Sequence, residues 1–335
     1  MRLVVNEPGT FVGTRGGMIT VYRKKSKVLE VPVSKVNFII VLTRGASFSS
    51  ALARLLSKHN IPIIFYSPYG TPLSICKSFT TGTVTLRKRQ YRLQENVSGL
   101  KLTKSFALGK VLNQYSLLYS MAKNRAKSDP QLAKELYNVA REIKGVGEKI
   151  EKVEGPDFES SRKEVMSLEA EAAQAYWESV AKALSKVIEF PGRRKRFENP
   201  TDPVNISLNY LYTILAGECS LYLEVCGLDP YAGFLHVDSP RRPALAMDLM
   251  EEFRQPIVDR VVFKAAFEKR LDNIVENGRL KREARIMLYK AYVERLKTKV
   301  TFLNRSLPLE DHIFLQARRI GEHVMGREEY KPFIL

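Results

Sequence analysis

Cysteine is scarce in this chain: there are three, Cys76, Cys219 and Cys226, with no Cys-x-x-Cys pair among them. Such a set supports neither a disulfide framework nor a zinc knuckle, and it fits a reduced, cytoplasmic compartment. Long apolar runs are missing as well. No stretch approaches the roughly 20 residues that cross a bilayer, and the N-terminal MRLVVNEPG lacks a signal-peptide core, so a soluble protein away from membranes is expected. Acid is in short supply. Asp and Glu total 36 against 54 Lys and Arg, a formal charge of +18, and a polyanionic partner follows, nucleic acid before an anionic membrane. The deficit is steepest over residues 1–85, where eleven basic residues face only Glu7 and Glu30, and the first aspartate of the chain is Asp129. A carboxylate-built metal site cannot lie in that region, so binding or assembly is its expected role.

What is present suffices for large cores: 335 residues, 44% of them hydrophobic. Residues 1–85 read as a β-rich, sandwich-like domain. RLVVN, TFVGT, GMITVYRK, KVLEVPV and NFIIVLT are short β-branched or alternating runs between Gly, Pro and basic turns, and one short helix, ALARLLSKHN, precedes a further strand at PIIFY. Residues 86–99 read as a basic linker into the first helix of a second domain, all-α, over 100–335. The stretch TVTLRKRQYR at this junction sets Arg87 and Arg89 around Tyr91, a composition that can hold phosphates and stack a base, or simply be a solvated connector. GRRKR at 192–196 is a second basic loop, from which Arg193 and Arg196 are the candidate phosphate contacts. Residues 203–228 form an apolar central helix whose Cys219 and Cys226 pack, and the terminal EEYKPFIL reads as a tail.

The chemistry gathers at GFLHVDSPRRPALAMDLMEEFR, residues 233–254. His236 precedes a Pro-bounded loop and an amphipathic helix on which Asp248 and Glu251, three apart, share a face. An imidazole folding back over two carboxylates could share a divalent ion, with mixed nitrogen and oxygen ligation suiting Mn²⁺ or Mg²⁺ and not excluding Zn²⁺. Glu252 follows directly, and only helix phase favours Glu251 over it. The alternative is a satisfied polar His beside ordinary helix acids. A third ligand is offered by MSLEAEAAQAYW, residues 166–177, where Glu169, Ala172, Ala173 and Tyr176 form one stripe. Small residues there let a second helix approach, and a Glu among them needs a cation or donors.

MSLEAEAAQAYW, then NPTDPVNISLNYLYTILAGEC, GLDPYAGFLH and LAMDLMEEFR, in that order, resemble the CRISPR-associated adaptation integrases, metal-dependent DNA endonuclease/integrase subunits that insert spacers. The resemblance runs from about residue 80 to about residue 262. It implies Glu169, His236 and Glu251 as catalytic metal ligands for Mn²⁺ or Mg²⁺, Asp248 as an acidic neighbour in the same cleft, and Asn205 close to the site. Tyr176 would hydrogen-bond a phosphate or pack against the site. The family's activity is phosphodiester cleavage and strand transfer on double-stranded DNA, with branched or single-stranded DNA also possible substrates. Its partners are a second copy, through the β-rich domain, and a small adaptation subunit. A non-catalytic nucleic-acid-binding scaffold is the rival reading, since it explains the charge equally well.

Overall fold

The computed structural model describes residues 2–67, 72–78, 83–94, 96–155 and 157–335, without the side chains of Pro72 and Arg196. The chain divides into two units, Met1–Gly82 and Thr83–Leu335. No helix among the described residues is long and apolar enough to cross a membrane.

The first unit carries β1 (Arg2–Val5), β2 (Thr10–Arg15), β3 (Met18–Arg23), β4 (Ser26–Pro32), β5 (Phe38–Val41), β6 (Ser47–Phe48), α1 (Ser50–Lys58), β7 (Ile63–Tyr66) and β8 (Pro72–Cys76). They form two four-stranded sheets, ordered β1-β5-β7-β8 and β4-β3-β2-β6. Gly16 and Gly17, both at positive φ, make the two-residue turn that pairs Arg15 with Met18 in the β2–β3 hairpin. Helix α1 starts where the Ser49 side chain accepts the Leu52 N–H at 3.1 Å. Val5, Val12, Ile19, Ile39, Val41, Leu52 and Leu56, drawn from both sheets and the helix, share one apolar core. The expectation of a strand-rich region with a short helix is met, and β6 and β8 are additional short strands.

The second unit is mostly helical: α2 (Val84–Leu93), α3 (Leu100–Arg125), α4 (Pro130–Lys152), α5 (Phe158–Leu184), α6 (Pro203–Val225), α7 (Ala244–Glu251), a π-helical segment Arg254–Asp259, α8 (Arg260–Phe267), α9 (Arg282–Leu296) and α10 (Leu309–Val324). It is not all-α. Antiparallel ribbons β9 (Val275–Glu276) with β10 (Arg279–Leu280), and β11 (Lys299–Phe302) with β12 (Arg305–Pro308), interrupt the helices. The first turns on Asn277-Gly278, both at positive φ, the pair that fits a tight hairpin best.

The expected linker at 86–99 is instead largely helix α2, tied to this unit by Gln90, whose amide donates to the carbonyls of Asp229 at 2.8 Å and Ala232 at 2.9 Å. The expected tail is docked as well. Phe333 is fully buried and stacks on Phe253 with ring centres 4.8 Å apart, and the Leu335 N–H donates to Asn113 Oδ1 at 2.9 Å. Helix α6 does run through the interior. Burial pushes the Cys219 thiol well up and that of Cys226 to about 12, so both behave as packing groups.

Candidate active site

Three helices build the site. Gly109 on α3 lets α7 come close: a Cβ there would meet Glu252 Cγ at 2.8 Å. The next residue, Lys110, then reaches into the space between α5 and α7. Its ammonium pairs with Glu169 Oε1 of α5 and, at 2.9 Å, with Glu251 Oε2 of α7. These two carboxylate oxygens are buried and have no aligned hydrogen-bond donor, so the Lys110 charge is what balances them. On its other oxygen Glu251 pairs with Arg254 at 2.8 Å. Burial alone would raise the Glu251 pKa, but Arg254, Lys110 and His236 outweigh it and hold the carboxyl well below the usual range. Burial likewise opposes the Lys110 charge, and Glu169 and Glu251 reverse the effect, raising its pKa.

His236 arrives from the loop before α7. Gly233 makes the approach possible, because a Cβ there would meet Ala244 Cβ at 2.7 Å and the His236 carbonyl at 2.8 Å. Asp248, fully buried, then gathers the loop. Its Oδ2 accepts the N–H of Phe234 at 2.6 Å and of Leu235 at 3.0 Å, and its Oδ1 accepts the His236 N–H at 2.9 Å. The same Oδ1 lies 2.7 Å from His236 Nδ1, which turns Nε2 toward Glu251 Oε1 at 3.9 Å. Asp248 therefore serves the histidine and its loop; the expectation of a second acid opening into the cleft is corrected. Glu252 faces the other way, accepting from Tyr330 Oη at 2.6 Å, the Phe333 N–H at 2.8 Å and Gln316 Nε2 at 3.0 Å.

Behind Arg254 lies a buried polar cluster. Asp259 accepts Tyr176 Oη at 2.7 Å and also the Tyr212 hydroxyl, and burial raises its pKa against the pull of both tyrosines. The Arg254 guanidinium sits 4.6 Å from the centre of the Tyr212 ring. Tyr176 is thus fully buried with its hydroxyl committed to Asp259, which leaves its packing role and removes it from phosphate contact. Asn205, in the first turn of α6, holds the 192–194 stretch against the helix. It donates to the Gly192 carbonyl at 2.8 Å and accepts from Arg193 Nη1 at 3.0 Å and the Arg194 N–H at 2.8 Å. The helix cap is Asp202.

The four expected phosphate-binding arginines separate. Arg193 turns inward, donating to Asn209 at 2.7 Å and standing over Trp177 and Tyr212, while Arg194 and Lys195 are exposed. Arg87 pairs with Glu224 at 3.1 Å and donates to the Gly227 carbonyl, tying α2 to α6. Arg89 donates to the Met325 carbonyl at 2.6 Å, and the side chain of Arg196 lies outside the described residues. His312 Nε2 donates to the Val300 carbonyl at 2.9 Å, and His323 Nδ1 accepts the Tyr330 N–H, so both are structural.

Glu169 and Glu251 thus meet at one cation, with His236 beside Glu251. Among the described residues no three acid, His or Cys side chains yet close on a common point, because the Lys110 ammonium stands between the carboxylates. The donor set nonetheless fits a divalent ion: two carboxylates from separate helices, two of their oxygens without aligned donors, and an imidazole oriented by a carboxylate. Lys110, Arg254, Tyr212 and Asp259 went unassigned in the sequence. Of these, Lys110 stands in a segment that resembles the family's, though no role came with it, and Arg254 carried a signal in its position three residues after Glu251.

Residues 3–294 match the family model described as CRISPR associated protein Cas1. The chain is 33% identical over 345 residues to the CRISPR-associated endonuclease Cas1 1 of Archaeoglobus fulgidus, covering 100% of this chain and 99% of that protein. Its fold matches a chain of a partial Cas6-RT-Cas1–Cas2 complex with a TM-score of 0.73 at 17% identity, over 100% of this chain and 98% of the other. It also matches a casposase bound to an integration product with a TM-score of 0.70 at 21% identity, over 99% and 92%.

Proposed function

Since the chain belongs to the Cas1 family of CRISPR-associated proteins, a DNA endonuclease and integrase of CRISPR adaptation, we propose that Glu169, His236 and Glu251 hold its catalytic divalent ion, Mn²⁺ or Mg²⁺. The observation that carries this is the meeting of two carboxylates from α5 and α7 at a single cation, beside an imidazole that Asp248 orients. When bound, the ion supplies Lewis-acid stabilisation of the charge that builds on phosphorus and lowers the pKa of the attacking hydroxyl.

The chain's own groups prepare that site. Asp248 Oδ1 engages His236 Nδ1 at 2.7 Å, which leaves Nε2 facing inward for an ion. Arg254, packed on Tyr212, fixes the rotamer of Glu251 and keeps it ionised. Arg193 anchors the basic loop by Asn205 and Asn209, which leaves Arg194 and Lys195 outside to meet backbone phosphates. Arg89 and Arg196 are further proposed DNA contacts. Cleavage and strand transfer pass through the same pentavalent phosphorus and differ in nucleophile, water in one and a DNA 3′-hydroxyl in the other, so one site serves both.

The strand-rich unit, with half of the net charge, is the proposed dimerisation and DNA-contact element. Its edge strand β4, exposing Val28 and Leu29, suits pairing with a second copy. Double-stranded DNA and a small adaptation subunit are the remaining proposed partners, in the cytoplasm. The test is nicking of supercoiled DNA in Mn²⁺ or Mg²⁺ by Glu169→Gln and His236→Ala. Both should lose metal-dependent cleavage while retaining DNA affinity; normal cutting by either refutes the assignment.

A further inference from the structure

Lys110 is the least expected member of this site, a lysine 14% exposed whose ammonium occupies the ground between two carboxylates. We infer that Lys110 is a resident cation which the divalent ion must displace, so that metal loading is an exchange between a tethered ammonium and a free ion. The inference rests on the metal assignment proposed above.

Three observations lead to it. Glu169 Oε1 and Glu251 Oε2 are buried with no aligned donor, and both are met by Lys110 Nζ. They come from different helices, so without a cation between them α5 and α7 would bring two uncompensated carboxylates together. Arg254 cannot take over this duty, because its guanidinium is engaged with the opposite oxygen, Glu251 Oε1, and with the Tyr212 ring. A divalent ion bound by these carboxylates and an ammonium left in the same gap would repel across a few ångströms of low-dielectric interior. The longer-lived arrangement holds one cation or the other. A lysine suits this role since its charge rides on a flexible four-carbon stem that can swing aside, which a planar, forked arginine does less readily.

Two consequences follow. The metal-free protein keeps its helices packed, and a weakly held monovalent ion gains too little to evict a covalently tethered competitor. Eviction also uncovers the amine, which leaves its place between the two carboxylates and opens to reagents in solution.

The direct test uses the wild-type full-length chain. Acetylation with an N-hydroxysuccinimide ester, read at Lys110 by peptide mass spectrometry, should rise roughly fivefold or more in saturating Mn²⁺, as the amine leaves its buried ion pairs, while exposed lysines stay constant. Titration calorimetry adds a second readout: Lys110→Met should bind Mn²⁺ roughly tenfold tighter than wild type and melt at lower temperature without metal, with Mn²⁺ restoring the melting point. If Lys110→Met does not fold metal-free, the labelling of wild type decides alone. Mn²⁺ that binds wild type while Lys110 stays protected overturns the exchange and spares the metal site. Absence of any Mn²⁺ binding to wild type overturns both.

Discussion

Glu251 and Glu252 are neighbours in sequence, both buried at the end of α7, and they live in opposite electrostatic worlds. Glu251 faces Arg254 and Lys110, whose charges hold it ionised, with His236 beside it. The hydrogen-bond donors that Glu252 meets among the described residues are neutral, Tyr330, Gln316 and the Phe333 N–H, and burial outweighs them and the weaker pull of Arg319, pushing its pKa up to about 7. Burial is common to the two, so the difference comes from whether the partners carry charge. One side of the helix end is equipped for ion chemistry. The other is a clasp for the C-terminal segment.

The comparison breaks most sharply under exchange of single atoms. Glu251→Gln should lower metal-dependent DNA nicking on the order of 10²–10³-fold, whereas Glu252→Gln should leave it essentially intact. Equal losses in a nicking assay would erase the distinction. A smaller effect concerns pH. Glu252 has a folded pKa of about 7 against an ordinary 4.5, so the folded state binds its proton more tightly than the unfolded chain does. The stability this lends is full below pH 4.5 and is lost as pH rises through 7, on the order of 3 kcal/mol in all. Urea melts of wild type and Glu252→Gln from pH 5 to pH 8 should diverge as pH increases, with the variant becoming relatively more stable. Parallel curves would mean that Glu252 is ionised in both states. Smaller still is the effect of the residue behind the histidine. Asp248→Asn should weaken Mn²⁺ binding by about 10–100-fold, because an amide misorients His236 without removing a ligand. Calorimetry that finds unchanged affinity would show that His236 needs no such orientation.

Much of this site was legible in the chain because its parts obey local periodicities. Glu169 stands in a stripe with Ala172 and Tyr176, and Asp248 and Glu251 share a face by spacing alone. The strands of the first unit were readable for the same reason, as β-branched runs between turn residues. The role of Lys110 was not, since a resemblance of its segment names no partner, and only the covering by α5 and α7 shows the two carboxylates that it meets. The division of labour between Asp248 and Glu251 was equally hidden: spacing gave them one face, and only the path of the 233–236 loop sends Asp248 to the backbone and His236. Helix α2 was mistaken for a linker because its basic surface says nothing of Gln90, which with Tyr91 seats it against the 229–232 loop. The last eight residues carry no periodicity at all. They dock by particular fits, Phe333 on Phe253 and Leu335 on Asn113, that no pattern announces. Asn277-Gly278, by contrast, was a readable hairpin signal inside a region assigned wholly to helix.

The decisive measurement is anomalous diffraction from crystals of the full chain grown with Mn²⁺. A single strong peak bonded to the carboxylates of Glu169 and Glu251 and to His236 Nε2, with Asp248 still on Nδ1, is the expected result. A peak that omits Glu169, or that sits on Glu252 instead of Glu251, would contradict it.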